Sequence, residues 1–157
     1  MRLSEILKPE NIKVSLQSVN KTEAITELVE LLAANHELTD QGKVLDSVLE
    51  REATRTTGIG NGLAIPHGKC NGVDHLVMAI GKAGAPIDFQ AIDGRPVTLI
   101  WLLASPPDKT GPHITALARI SKLMTIDKFR QAINNCTSSQ QMYDIIIEQE
   151  KIIIPGV

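Results

Sequence analysis

The chain has 157 residues, 43% of them hydrophobic and 22% charged, which fits one globular domain over residues 1–157 and excludes a disordered or collagen-like chain. One Trp, one Tyr, two Phe and a formal net charge of −2 argue against nucleic-acid binding, because stacking platforms and a basic stripe are both missing. Two distant cysteines favour a reducing cytoplasm, and the longest apolar stretch, residues 99–104, is far shorter than the ~18 residues of a membrane span.

Two helices follow an opening strand in the first third of the chain. Apolar and polar residues alternate over Ile12–Leu16, which predicts the strand. Asn20 with Glu23 resembles a capping box and predicts a helix that runs to Asn35. A second amphipathic helix is predicted over residues 40–53, with Arg51 near its C-terminal end.

The middle of the chain predicts two strands around a turn. Residues 76–80 form the first strand, and residues 97–104 form a second that is almost wholly apolar. A strand of that composition is covered on both faces, so it is the candidate central strand. Residues 85–96 contain two prolines and Asp93-Gly94, which predict a turn between the strands.

Three helices are predicted in the last third. The first begins at Pro112 and carries His113 in its first turn, and the second lies around Phe129–Ile133. The last is capped by Thr137 with Gln140. Helices mixed with strands predict an α/β or α+β sandwich, in which helices cover a mixed sheet.

Residues 56–69 carry the candidate chemistry, because His67 stands there between Pro66 and Gly68 after a glycine-rich run. Pro66 forbids a helix at this point, and Gly68 is expected to leave space beside the imidazole for a visiting group. A neutral imidazole is a nucleophile near pH 7, and its phosphorylation adds about −1.5 to −2 charges that need N–H groups or a cation nearby. The glycine run can supply the former and Arg51 the latter.

Two other phosphate-binding motifs do not fit this segment. A dinucleotide fingerprint needs a third glycine where Leu63 stands, and a Walker A loop needs Ser or Thr where Cys70 stands. Taken singly, His67, His113 and Arg51 also have ordinary explanations as surface, capping and solvated side chains.

The ten residues Ile59–Gly68 resemble the phosphorylation-site signature of the fructose/mannitol-type enzyme IIA of the bacterial phosphoenolpyruvate-dependent phosphotransferase system. The order of elements along nearly the whole chain is similar to that family as well. Residues 58–62 and the free-standing length are most similar to its nitrogen-regulatory branch. The fold that this resemblance implies is a single α/β domain, a mixed five-stranded sheet with helices on both faces.

The resemblance also implies site residues. His67 would accept a phosphoryl group, while His113 would donate a hydrogen bond and Arg51 would supply a cation. A phosphoryl-cradling loop would comprise Gly60, Asn61, Gly62 and Gly68. An apolar docking surface around His67 would include Ile59, Leu63 and Ile65.

The implied activity is that of a phosphotransferase component with a phosphohistidine intermediate, without turnover of a small substrate of its own. The donor would be an HPr-type phosphocarrier protein, and no cofactor or metal would be needed. The phosphorylated protein would act as a regulator through its phosphorylation state, the favoured role, or pass the phosphoryl group to an enzyme IIB in sugar transport. The sequence does not say which imidazole nitrogen is phosphorylated.

Two alternatives come from other classes. A metal-dependent hydrolase would use His67, His113 and Asp93, although no paired-ligand spacing supports it and Asp93 is explained by its turn. A small-molecule sensor domain without phosphotransfer is the other alternative.

Overall fold

The structure, a computed structural model, describes residues 1–154. Two short 3-10 helices, Leu3–Glu5 and Pro9–Asn11, open the chain. The strands are β1 (Ile12–Leu16), β2 (Gly58–Gly60), β3 (Leu63–Ala64), β4 (His67–Lys69), β5 (Val77–Ile87) and β6 (Val97–Ser105). The helices are α1 (Lys21–Ala34), α2 (Gln41–Thr54), α3 (Thr110–Leu123), α4 (Asp127–Asn134) and α5 (Ser139–Ile153).

The strands form one mixed sheet in the order β1-β5-β6-β3-β2, and β4 also pairs with β6. β1 is parallel to β5, β5 is antiparallel to β6, and β3 and β4 both run parallel to β6. The predicted fold class is therefore confirmed, with six strands in place of five. The segment 58–69 supplies three strands of only two or three residues, which are too short to show a period of two.

β6 is the central strand, as predicted, and its alternate side chains face two hydrophobic cores. Leu99, Trp101 and Leu103 pack with apolar residues of α3, α4 and α5. Ile100 and Leu102 pack with those of α1 and α2 on the opposite face. Helices therefore cover both faces of the sheet.

Side-chain caps begin three of the helices. The Asn20 side chain accepts a hydrogen bond from the Glu23 N–H at 2.9 Å, which confirms the predicted cap of α1. Asp40 caps α2 in the same way. The predicted cap of α5 was wrong by one residue. The Ser138 hydroxyl accepts from the Gln141 N–H, and the Gln141 side chain accepts from the Thr137 N–H.

Two other boundaries differ from the prediction. β5 continues to Ile87, so residues 85–87 belong to a strand and not to the predicted turn. A register shift between Lys82 and Ile87 accommodates Pro86, which cannot donate to the ladder. α3 begins at Thr110, ahead of Pro112, because an N–H in the first turn of a helix has no intrahelical partner to lose.

Candidate functional site

His67 lies in β4, a strand that pairs only with β6 within residues 1–154. The register places His67 opposite Leu103 and Lys69 opposite Ser105, so these side chains point to the face covered by α3. The His67 Nδ1 atom lies 2.7 Å from the carbonyl oxygen of Ile65. A carbonyl only accepts, so Nδ1 carries the hydrogen and Nε2 keeps its lone pair. The ring is therefore held with its nucleophilic nitrogen turned away from the backbone.

His113 lies in the first turn of α3 and is buried against the end of β6. Its Nδ1 atom is 2.6 Å from the Ser105 hydroxyl oxygen. The two imidazole rings have centroids 5.4 Å apart and meet edge to face at 64°. The structure thus brings together the two histidines that the sequence predicted for one site, although they are 46 positions apart in the chain.

Both histidines are neutral at pH 7. Burial lowers the pKa of His67 below its usual 6.5, and the charges of Arg51 and Lys69 act in the same direction, partly offset by the Ile65 hydrogen bond and Glu52. Burial lowers the pKa of His113 to about 4, helped by the neighbouring His67 and Lys69. A neutral His67 has the lone pair that nucleophilic attack requires.

Arg51 and Lys69 border a surface depression that also contains both histidines. It has a volume of about 380 Å³ and is lined by Ser47, Arg51, His67, Gly68, Lys69, His113 and Leu117. Arg51, in the last turn of α2, donates from Nη1 to the Arg55 carbonyl at 2.9 Å. The second cation is Lys69, which was not predicted as a site residue; its Nζ lies 3.5 Å from the Thr110 hydroxyl of α3. Its position two residues after His67 would have placed it on the same face of a strand.

Gly68 lines this depression, as expected, and it also faces α2, where there is no room for a side chain. A Cβ at this position would collide with the Ser47 side chain and lie 3.1 Å from its backbone carbon. Ser47 also donates a hydrogen bond to the Lys69 carbonyl at 3.3 Å. The missing side chain therefore allows α2 to approach β4, and Arg51 comes from that helix.

The turn Gly60–Gly62 is not brought to His67. All three residues have positive φ, and the Gly62 carbonyl accepts from the N–H groups of Thr98 and Leu99 at the start of β6. His67 pairs with Leu103, four residues farther along β6 than Leu99, or roughly 13 Å at about 3.3 Å per residue. The cradling role expected of Gly60, Asn61 and Gly62 has no geometric support.

A second cavity of about 300 Å³ shares Arg51, His67 and Leu117 with this depression and includes the apolar residues Ile59, Ile65 and Ile92. Of the expected docking residues only Ile59 is exposed, at 45%; Leu63 and Ile65 are buried. Ile92 is 64% exposed and was not predicted as a docking residue, although an isolated isoleucine beside an Asp-Gly turn indicates a side chain outside the core.

The alternative metal site does not assemble. Within residues 1–154, no three His, Cys, Asp or Glu side chains lie close enough to hold one ion. Asp93 accepts from the Arg95 N–H at 3.0 Å and so closes its own turn. A larger depression of about 470 Å³ lies elsewhere, where Lys13 and Glu27 pair at 2.6 Å.

Comparison with known proteins gives the family. The family described as "Phosphoenolpyruvate-dependent sugar phosphotransferase system, EIIA 2" matches residues 5–149, and the chain belongs to this family. A nitrogen regulatory protein of Bradyrhizobium diazoefficiens is 33% identical over 148 residues, which cover 93% of this chain and 95% of that protein. A fructose-specific EIIABC component of Bacillus subtilis is 31% identical over 151 residues, which cover 96% of this chain but 24% of that longer protein.

A solved structure shows the same fold. The nitrogen regulatory protein IIA-Ntr of Neisseria meningitidis superimposes with a TM-score of 0.81 at 27% identity, covering 92% of this chain and 98% of that one. Within residues 1–154, no helix is both long and apolar enough to cross a membrane.

Proposed function

We propose that this protein is a histidine phosphocarrier in which Nε2 of His67 accepts a phosphoryl group from the phosphohistidine of an HPr-type carrier. The hydrogen bond between Nδ1 and the Ile65 carbonyl carries this proposal, because it leaves Nε2 as the free nucleophile. In the transfer, the P–N bond of the donor breaks as the P–Nε2 bond forms. The donor imidazole keeps the electron pair of the broken bond.

His113, Arg51 and Lys69 would stabilise the transferred group. Phosphoryl transfer needs positioning and charge stabilisation more than covalent chemistry, since its transition state is loose. The three side chains line one depression with His67 and supply one imidazole and two cations. A phosphoryl group of about −1.5 to −2 charges on His67 would be stabilised there.

The partner would dock on the apolar cavity beside His67. Ile59 and Ile92 are exposed at its edge. Leu117 lines both this cavity and the depression that contains His67 and His113. An apolar side chain of the donor, next to its phosphohistidine, would occupy the cavity and align the two imidazoles.

Downstream, we favour a regulatory role through the phosphorylation state, supported by the relatives named nitrogen regulatory proteins. The second candidate is a relay to an enzyme IIB, supported by the fructose-specific relative. Incubation of the phosphorylated protein with enzyme IIB proteins separates the two roles. Rapid loss of the phosphoryl group to one of them supports the relay, and its retention with all of them supports the regulator.

Intact mass after incubation with phosphoenolpyruvate, enzyme I and an HPr-type carrier tests the carrier chemistry. We expect a gain of one acid-labile phosphoryl group in the wild type and none in His67→Ala. His75→Ala is the matched control, because His75 is an exposed histidine that pairs with Glu37 outside the site. A phosphorylated His67→Ala protein, or an unmodified wild type, would contradict the proposal.

A further inference from the structure

Ser105 ends the central strand at a position where the preceding pattern would place an apolar side chain. Leu99, Trp101 and Leu103 alternate along β6 toward the helices α3 to α5, and Ser105 continues this alternation. The residue is fully buried, with 0% exposure. A buried hydroxyl requires a hydrogen-bond partner, and within residues 1–154 the Ser105 hydroxyl bonds only to Nδ1 of His113.

The direction of this hydrogen bond follows from the number of donors. If Nδ1–H donated, the hydroxyl hydrogen of Ser105 would be buried without an acceptor in the described part of the chain. If the hydroxyl donates to a bare Nδ1, its hydrogen is satisfied and only spare lone pairs stay unused. In the second arrangement the hydroxyl hydrogen is paired, and the remaining donor, Nε2–H of His113, is not among the fully buried polar atoms without a partner, since His113 lines the open depression. The Ser105 hydroxyl is therefore the donor.

We propose that Ser105 is a positioning residue that holds His113 as the Nε2–H tautomer, with this N–H available to the phosphoryl group on His67. The inference rests on the proposed function. It deepens that function by naming the group that makes His113 a donor and not an acceptor.

The two histidines then have opposite tautomers. One tautomer is set by the backbone between β3 and β4, and the other by the last residue of β6. The Ile65 carbonyl accepts from Nδ1 of His67 and leaves Nε2 bare for attack. The Ser105 hydroxyl donates to Nδ1 of His113 and leaves Nε2 with a hydrogen. A neutral imidazole can either donate or accept through Nε2, and only the donor stabilises phosphoryl oxygens.

Long-range ¹H–¹⁵N correlation of the imidazole rings in the wild-type protein at neutral pH tests the assignment without any variant. We expect the hydrogen on Nε2 of His113 and on Nδ1 of His67. A hydrogen on Nδ1 of His113 would overturn the proposal. A wild type with the expected tautomers that accepts no phosphoryl group would instead overturn the proposed function.

The kinetic test uses the initial rate of phosphoryl acceptance. We expect Ser105→Ala to slow it by roughly 10-fold to 100-fold, the range found when a metal-binding histidine loses the group that fixes its tautomer and orientation. Ser105→Thr, which keeps the hydroxyl, should recover most of the rate. Ser139→Ala is the matched control, because it also removes a hydroxyl, one that bonds to the Ile12 carbonyl far along the chain from the site.

A double-mutant cycle separates positioning from general packing. In a His113→Ala background, Ser105→Ala should have no further effect on the rate, since the one hydrogen-bond partner of the hydroxyl within residues 1–154 is gone. A further loss of the same size in that background would overturn the proposal. So would a mixed or unchanged His113 tautomer in Ser105→Ala combined with an unchanged rate.

Discussion

The buried, neutral His113 should make the protein less stable in mild acid. Its pKa falls from 6.5 to about 4 on folding, so between these values the unfolded chain binds a proton that the folded protein does not. The lowered pKa of His113 therefore costs almost no stability above pH 6.5, and the free energy of unfolding falls as the pH drops from 6.5 toward 4. Integrated between pH 7 and pH 5, a shift of this size gives a loss of about 2 kcal/mol in the free energy of unfolding.

Urea unfolding at pH 7 and pH 5 measures this loss. Trp101 is the single tryptophan and fully buried, so its fluorescence follows unfolding. The comparison is with His113→Gln, which keeps a polar side chain but does not titrate. His67 also has a lowered pKa and destabilises in acid, but it is present in both proteins. An equal change in the free energy of unfolding from pH 7 to pH 5 in both proteins would show that His113 takes up no extra proton on unfolding.

Three further predictions follow from the site and its surroundings. Gly68→Ala should destabilise the protein by about 2 kcal/mol, because the added Cβ collides with α2. Thermal unfolding measures this, with Gly111→Ala as the control, since a Cβ at Gly111 meets open space. An equal effect of the two substitutions would contradict the prediction. Arg51→Ala should slow phosphoryl acceptance by about 100-fold, with Arg51→Lys in between, because a fixed cation at the transferred group is lost; rapid-quench rates that stay unchanged would exclude Arg51 from the site. Ile92→Asp should raise the KM for the phosphorylated donor and leave kcat nearly unchanged. The control is Val19→Asp, at a side chain 74% exposed ahead of α1, which should change neither constant. Equal steady-state constants for the two variants would contradict the docking surface.

Periodicity and capping predicted most of the fold, because the amphipathic helices and the two long strands bury residues at regular spacing. The apolar run of β6 correctly indicated a central strand with helices on both faces. The short strands β2, β3 and β4 were missed. β3 and β4 pair with β6, and β2 pairs with β3. These pairings come from tertiary contact and not from local propensity, so nothing within two or three residues predicts them.

The candidate site was predicted where a local motif carries it. The ten residues Ile59–Gly68 indicate His67 as the candidate nucleophile, but the contacts around it are long-range. Lys69 and Ser105 meet across the β4–β6 register, which the sequence did not provide. The close approach of α2 explains why residue 68 is a glycine. The glycine turn 60–62 hydrogen-bonds to the start of β6 and not to the site.

The most direct test of the account is the position of the phosphorus in the phosphorylated protein. ¹⁵N-labelled protein, phosphorylated through the HPr-type carrier, is examined by NMR for ¹⁵N–³¹P coupling. The account predicts coupling to Nε2 of His67, since Nδ1 is occupied by the Ile65 carbonyl. Phosphorus on Nδ1 of His67, or on any other residue, would contradict it.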